Sequence, residues 1–226
     1  MDSIQGQNII VHLMGRQLVI HDTVFYSWVL VLLLSLIAIY IGQKAKKTDP
    51  EATPKGIVNL TEMAIEAVMK LVSSTMGERN VKFTPYILML ALYLVPANMI
   101  GLLGITPPTS DFNVTLALGV LTFILIQSTA IRSKGVGNYL KGFLEPSPVL
   151  LPMNIIGELA TPISLSFRLF GNILSGVIIM SLLYSALGIF SPVIAPILHA
   201  YFDVFSGLLQ TFIFAMLTMV SVAMAE

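Results

Sequence analysis

The chain has 226 residues, of which 56% are apolar and only 11% charged, with a formal net charge of zero and no cysteine. About a quarter of the residues of a soluble domain are charged, so a mean hydropathy of +0.88 excludes an ordinary water-soluble fold and predicts an integral membrane protein. The missing cysteines exclude a disulfide framework and thiol-based metal or redox sites, and the charge balance argues against a nucleic-acid partner.

In chain order, residues 1–22 mix Asp2, Gln5, Asn8, His12, Arg16, His21 and Asp22 with apolar residues. They lack the apolar core of a secretory signal and the basic bias of a transit peptide, and read as an outer N-terminal segment. Residues 23–42 carry no charge and can span a hydrocarbon core of about 30 Å. Lys44, Lys46 and Lys47 follow, then a proline-marked loop from Thr48-Asp49-Pro50 to Pro54. A second helix is expected over 54–76, from the cap Thr53-Pro54 to a stop at Gly77. Glu62, Glu66 and Lys70 lie on one face, with Ile57, Leu60, Ala64, Val68 and Leu71 on the other. That pattern predicts an amphipathic helix at the membrane interface.

The next helix is expected over 85–104, kinked by Pro96, and a fourth over 113–131, followed by a Gly-rich loop carrying Arg132, Lys134 and Lys141. The last two segments, 149–187 and 192–224, would be about 58 and 50 Å long as helices. Both exceed a perpendicular span, so they must tilt, break or lie along the membrane. With a turn at Gly188 they form a long, strongly tilted hairpin. The fold class is thus an all-α integral membrane protein, a single membrane domain of about five membrane helices plus one interfacial helix. Lys and Arg cluster beside alternate helix ends, which predicts an outer N-terminus and a cytoplasmic C-terminus.

After Lys141 the sole basic residue is Arg168, in the middle of an apolar helix. An ionisable residue there costs about 2.5–3.5 kcal/mol on insertion scales. A salt bridge to Glu158 or Asp203 would explain it without function. On a helical projection, Asn154, Gly157, Thr161, Ser164, Asn172 and Ser175 share its side, Glu158 lies near the edge, and Ser166 points the opposite way. In the final segment His199, Asp203, Ser206 and Ser221 share the face of Gln210. These two polar stripes either tie helices together by hydrogen bonds or line a path for an ion. His12 and His21 do not form a ligand pair. No phosphate loop, nucleophile elbow or metal-binding histidine pair occurs, so the chain alone does not read as an enzyme, and no cofactor or metal is expected.

The run from Ser164 to Leu174, with Arg168-Leu169-Phe170-Gly171-Asn172 at its centre, resembles the a subunit of bacterial F-type ATP synthases. Leu209-Gln210-Thr211-Phe212-Ile213-Phe214, the run from Asn98 to Gly104 and that from Pro108 to Thr115 resemble its other helices, in order, over about residues 84–220. The resemblance implies an ion-translocating, non-catalytic subunit in the cell membrane. It implies a c-subunit ring as partner, with the b subunit as stator. Two offset half-channels would carry H+ or Na+ to and from the ring carboxylates, kept apart by Arg168. The ion path would draw on Asp203, Gln210, Ser206, His199, Asn172, Ser164, Ser175 and Glu158. Val177 stands where many relatives carry Glu, and Asp203 where many carry His. On the residues alone, a secondary transporter binding an anion at Arg168 and a structural scaffold remain the alternatives.

Overall fold

The structure is a computed structural model, which describes residues 9–13, 16–47, 56–144 and 147–226. The expected loop over 48–54 and the cap at Thr53-Pro54 lie outside the described residues. So do Asp2, Gln5 and Asn8. Two short antiparallel strands, β1 (Ile9–Leu13) and β2 (Arg16–Ile20), pair ahead of the first helix. Helices make up nearly all the rest: α1 (Asp22–Lys46), α2 (Ile57–Met76), α3 (Thr84–Met99), α4 (Phe112–Gly142), α5 (Leu151–Leu187), α6 (Ser191–His199) and α7 (Ser206–Ala225). Short 3-10 turns flank α3, precede α4 and α5, and link α5 to α6. Five helical stretches are long and apolar enough to cross a membrane: Asp22–Lys46, Glu78–Leu103, Phe112–Gly142, Pro148–Leu187 and Ser191–Ala225. The protein is a multi-pass all-α membrane protein.

The bundle is built around α7. Its Ala215, Met219 and Val222 bury against Val72 and Met76 of α2, Ile87 of α3 and Ile126 of α4. Its Phe214 joins Leu90 and Leu94 of α3 to Leu165 and Leu169 of α5 in a second cluster. Helix α1 lies outside this core, burying only Thr23. It is held by Thr23 Oγ1 donating to Asp111 Oδ2 at 2.7 Å and by a 2.7 Å bond between the Ser27 and Tyr93 hydroxyls. Only the C-terminal half of α2 packs, through Val68, Leu71, Val72 and Met76. Ile57, Leu60 and Ala64, read above as part of one apolar face, are exposed. Near the C-terminus, Asn80 Nδ2 (2.7 Å) and Lys82 Nζ (3.2 Å) donate to Glu226. The Asn80 amide, then Lys82, holds the Glu226 carboxyl below its usual range.

Three features depart from the plain helical reading. Helix α4 does not stop at Ile131: Gly135, at φ 75°, bends it, and it resumes to Gly142. Only glycine enters that region without strain. The final segment is not one uniform helix, because Ala200–Phe205 forms a π-helical turn between α6 and α7. Such wider turns rotate everything before them relative to everything after, and they cluster at functional sites. Third, α4 and α5 meet at van der Waals distance. A Cβ on Gly119 would fall 2.3 Å from Ser166 Oγ and 2.7 Å from the Pro162 carbonyl oxygen. Ser166 itself is fully buried and donates to that carbonyl at 2.6 Å. This contact settles which way α5 faces: Ser166 points into the bundle, and the side carrying Arg168 points out.

Candidate functional site

Arg168 is exposed, as are Ser164, Asn172 and Ser175 on the same side of α5. Leu165, Leu169 and Ile173 bury the other side. Neither carboxylate considered as an ion-pair partner for Arg168 pairs with it. Glu158 accepts instead from Gln127 Nε2 at 2.6 Å, and Asp203 contacts His199. The Arg168 charge is therefore left facing outward on a membrane-spanning helix.

Two crevices approach this arginine from opposite ends of the bundle. One, of about 570 Å3, lies where the C-terminal parts of α4 and α7 meet the start of α5. Gln127, Lys134, Tyr139, Asn154, Glu158 and Ser221 are among its lining residues. Tyr139 donates its hydroxyl to Gln127 Oε1 at 2.5 Å, so a phenol, an amide and a carboxylate form one chain of bonds. Asn154 Nδ2 donates to the Phe143 carbonyl at 2.9 Å, which ties the start of α5 to the bent end of α4.

The other crevice, of about 690 Å3, lies at the N-terminal ends of α1 and α4 and includes Asp22, Asp111, Val177, Tyr184, His199 and Asp203. Here Tyr184 Oη and His199 Nε2 are 2.5 Å apart, and His199 Nδ1 lies 2.5 Å from Asp203 Oδ2. Along α5 the first crevice reaches Thr161, about 10 Å before Arg168, and the second reaches Phe170, about 3 Å after it. Arg168 itself lines neither, and the Gly119–Ser166 contact between α4 and α5 falls between them.

Between the crevices α5 and α7 are joined by Asn172 Nδ2 donating to Ser206 Oγ at 2.9 Å. Ser175 bonds back to the Gly171 carbonyl of its own helix at 2.6 Å. Gln210 is 5% exposed, and its Nε2 has no partner among the described residues. The last segment's polar residues divide along its length: His199 and Asp203 line one crevice, Ser221 the other, and Gln210 is buried within the bundle.

Asn98 anchors this register. It is 1% exposed, donates to the Gly207 carbonyl and Thr211 Oγ1 (both 3.1 Å), and accepts from Thr109 at 2.8 Å. Tyr184, Gln127 and Tyr139 were not singled out from the sequence, and Asn98 only as the start of the run from Asn98 to Gly104. Tyr184 lies four residues before Gly188 and His199 eleven after it, so a fold-back at Gly188 does not by itself bring them together, and no local signal points to Gln127 or Tyr139. Among the described residues no three His, Asp or Glu side chains are grouped to hold a metal ion.

This arrangement belongs to a recognisable family. Residues 24–222 match the family model described as ATP synthase A chain. The chain is 37% identical over 223 residues to ATP synthase subunit a of Mycoplasma pneumoniae, covering 87% of this chain and 76% of that one. It is 31% identical over 205 residues to the subunit a of Moorella thermoacetica, covering 90% of each. It is also 34% identical over 215 residues to a sodium ion specific ATP synthase subunit a of Propionigenium modestum, covering 88% of this chain and 71% of that one. With five membrane-length helices, matches at this identity and coverage make the chain a member of the subunit a family of F-type ATP synthases, an ion-translocating part of the membrane sector.

Proposed function

We propose that the two crevices are half-channels, one to each side of the membrane, and that Arg168 separates them while facing a ring of c subunits. The observation that carries this reading is an outward-facing, unneutralised arginine flanked along α5 by crevices open at opposite ends. A coupling ion enters one crevice, binds a ring carboxylate, travels with the ring and leaves by the other. At about 4 Å and an effective dielectric near 20, the arginine attracts a carboxylate by about 4 kcal/mol. That favours the ionised carboxylate and so expels its ion. The same fixed charge opposes a direct leak between the crevices. A lysine in its place can discharge when desolvated; arginine stays charged.

The chain does no bond chemistry of its own. Its partners are the c ring and the b subunit, in a bacterial cell membrane. The Lys and Arg positions support a cytoplasmic location for the Glu158 crevice and an outer location for the Asp203 crevice. The test is Arg168→Ala in the intact complex. ATP-driven ion pumping should be abolished while the complex still assembles, and Arg168→Lys should fail too. Near-normal coupled pumping in either variant would overturn the reading.

A further inference from the structure

Along the seam between α4 and α5, three contacts follow one another from one crevice to the other. Gln127 meets Glu158, Gly119 meets Ser166, and Phe112 meets Phe167 and Phe170. The last of these lies at the end of the Asp203 crevice nearest Arg168. The Phe112 ring is 4.8 Å from that of Phe167, tilted by 33°, and 5.7 Å from that of Phe170, edge to face. Phe112 and Phe170 line the crevice. Phe167 does not; it is 55% exposed and precedes Arg168 in the helix. The three rings thus reach from the crevice wall to the flank of the arginine.

The crevice changes character toward those rings. On α5 its lining passes from Ser185, Tyr184 and Ser181 to Val177, Leu174 and Phe170 as the helix nears Arg168. Behind the rings, two hydroxyls of the seam are turned onto their own helices. Thr115, fully buried, donates to the Phe112 carbonyl at 3.1 Å, and Ser166 to the Pro162 carbonyl at 2.6 Å. Neither donor is left to hold water. Tilted and edge-to-face contacts are the favoured packing of aromatic rings, and a constriction lined by apolar side chains excludes water.

We propose that Phe112, Phe167 and Phe170 form a dry aromatic seal that closes the α4–α5 seam beside Arg168, so that no continuous water path joins the two crevices; this rests on the half-channel reading above. Arg168 opposes a passing cation by its charge, but a charge attracts water and does not exclude it. The rings supply the exclusion. An ion in that gap, stripped of water and given no partner, is costly. The seal therefore limits leak, and no ion crosses it during turnover.

The experiment uses the intact complex in vesicles, with the ring carboxylates blocked by a carbodiimide so that rotation carries no ion. An imposed H+ or Na+ gradient then drives only passive flux, counted per assembled complex. Phe112→Ser and Phe167→Ser should each raise that flux at least about tenfold, while Phe112→Leu, which stays apolar, should leave it low. Phe167 is largely exposed, so its variant tests the seal even where Phe112→Ser fails to assemble. A second measurement needs no transport. The chain has no cysteine, so Thr115→Cys places a single thiol behind the seal. A water-soluble thiol reagent should leave it unlabelled, and should label it once Phe112→Ser or Phe167→Ser is added. Unchanged leak and labelling in the serine variants, or an equal leak in Phe112→Leu, would overturn the seal. If the serine variants stay tight while Arg168→Ala abolishes pumping, the seal alone fails. If Arg168→Ala pumps normally, the half-channel reading fails as well.

Discussion

The two crevices are built from nearly the same parts, and they differ in one. Each contains a tyrosine and a carboxylate joined through a middle side chain. In the Asp203 crevice the middle member is the His199 imidazole; in the Glu158 crevice it is the Gln127 amide. An imidazole has one nitrogen to accept a proton and another to give one up. A primary amide donates through nitrogen and accepts through oxygen, but it does not hand a proton across. The Tyr184–His199–Asp203 chain therefore has at its middle a group able to take up one proton and give up another, and the Tyr139–Gln127–Glu158 chain does not.

This contrast can be broken in several ways, beginning with the wall between the crevices. Gly119→Ala would push a methyl group into Ser166 Oγ and the Pro162 carbonyl, at 2.3 and 2.7 Å. The hydroxyl can turn away, but the carbonyl is backbone. Overpacking of this kind costs about 1–3 kcal/mol or more. The expected outcome is a large fall in assembled complex, with passive ion leak in what remains. Adding Ser166→Ala should recover only part, because the carbonyl clash persists. Quantifying assembled complex and leak in vesicles checks both.

Asp203→Asn comes next in size. Asparagine can still accept from His199 Nδ1, so the side-chain arrangement survives while the proton acceptor is lost. Coupled transport per complex should slow at least about tenfold, or about 1.4 kcal/mol in barrier. An unchanged rate would remove Asp203 from the path and erase the distinction between the two chains.

Glu158→Gln should have a smaller effect. The crevice around it also offers Asn154, Lys134 and Ser221 to water, so transport should slow by less than about tenfold. If Glu158→Gln proved more damaging than Asp203→Asn, the conducting role would belong to the other crevice.

The smallest effect is expected at Glu226. Asn80 and Lys82 depress its carboxyl from the ordinary value of 4.5. A depressed carboxylate stabilises the fold above that value, and the contribution is lost as pH falls through the lower folded value. Lys82 is 62% exposed and Glu226 28%. After solvent screening the contribution is on the order of a few tenths of a kcal/mol. Thermal unfolding of the complex at neutral pH and below pH 4.5, with and without Glu226→Gln, measures it.

Much of the architecture follows from the sequence by itself. Apolar stretches of membrane length with few charges define the spans, because charge and open backbone are costly in hydrocarbon. The helical period put Arg168 and Ser166 on opposite sides of α5, and the structure buries Ser166 and exposes Arg168. Periodicity failed where the helix was not ideal. The π turn at Ala200–Phe205 interrupts the regular helix between His199 and Gln210, and no residue type announces it. Just after that turn, α7 is held by Asn98, more than 100 residues away in the chain and bonded to the Gly207 carbonyl. Likewise Gln127 and Glu158 look like two isolated polar residues until α4 and α5 are packed together. Local sequence decides which segments become helices and which faces are apolar, since those depend on near neighbours. Which polar groups end up sharing a crevice depends on the rotation and depth of each helix against the next, and only tertiary packing decides that.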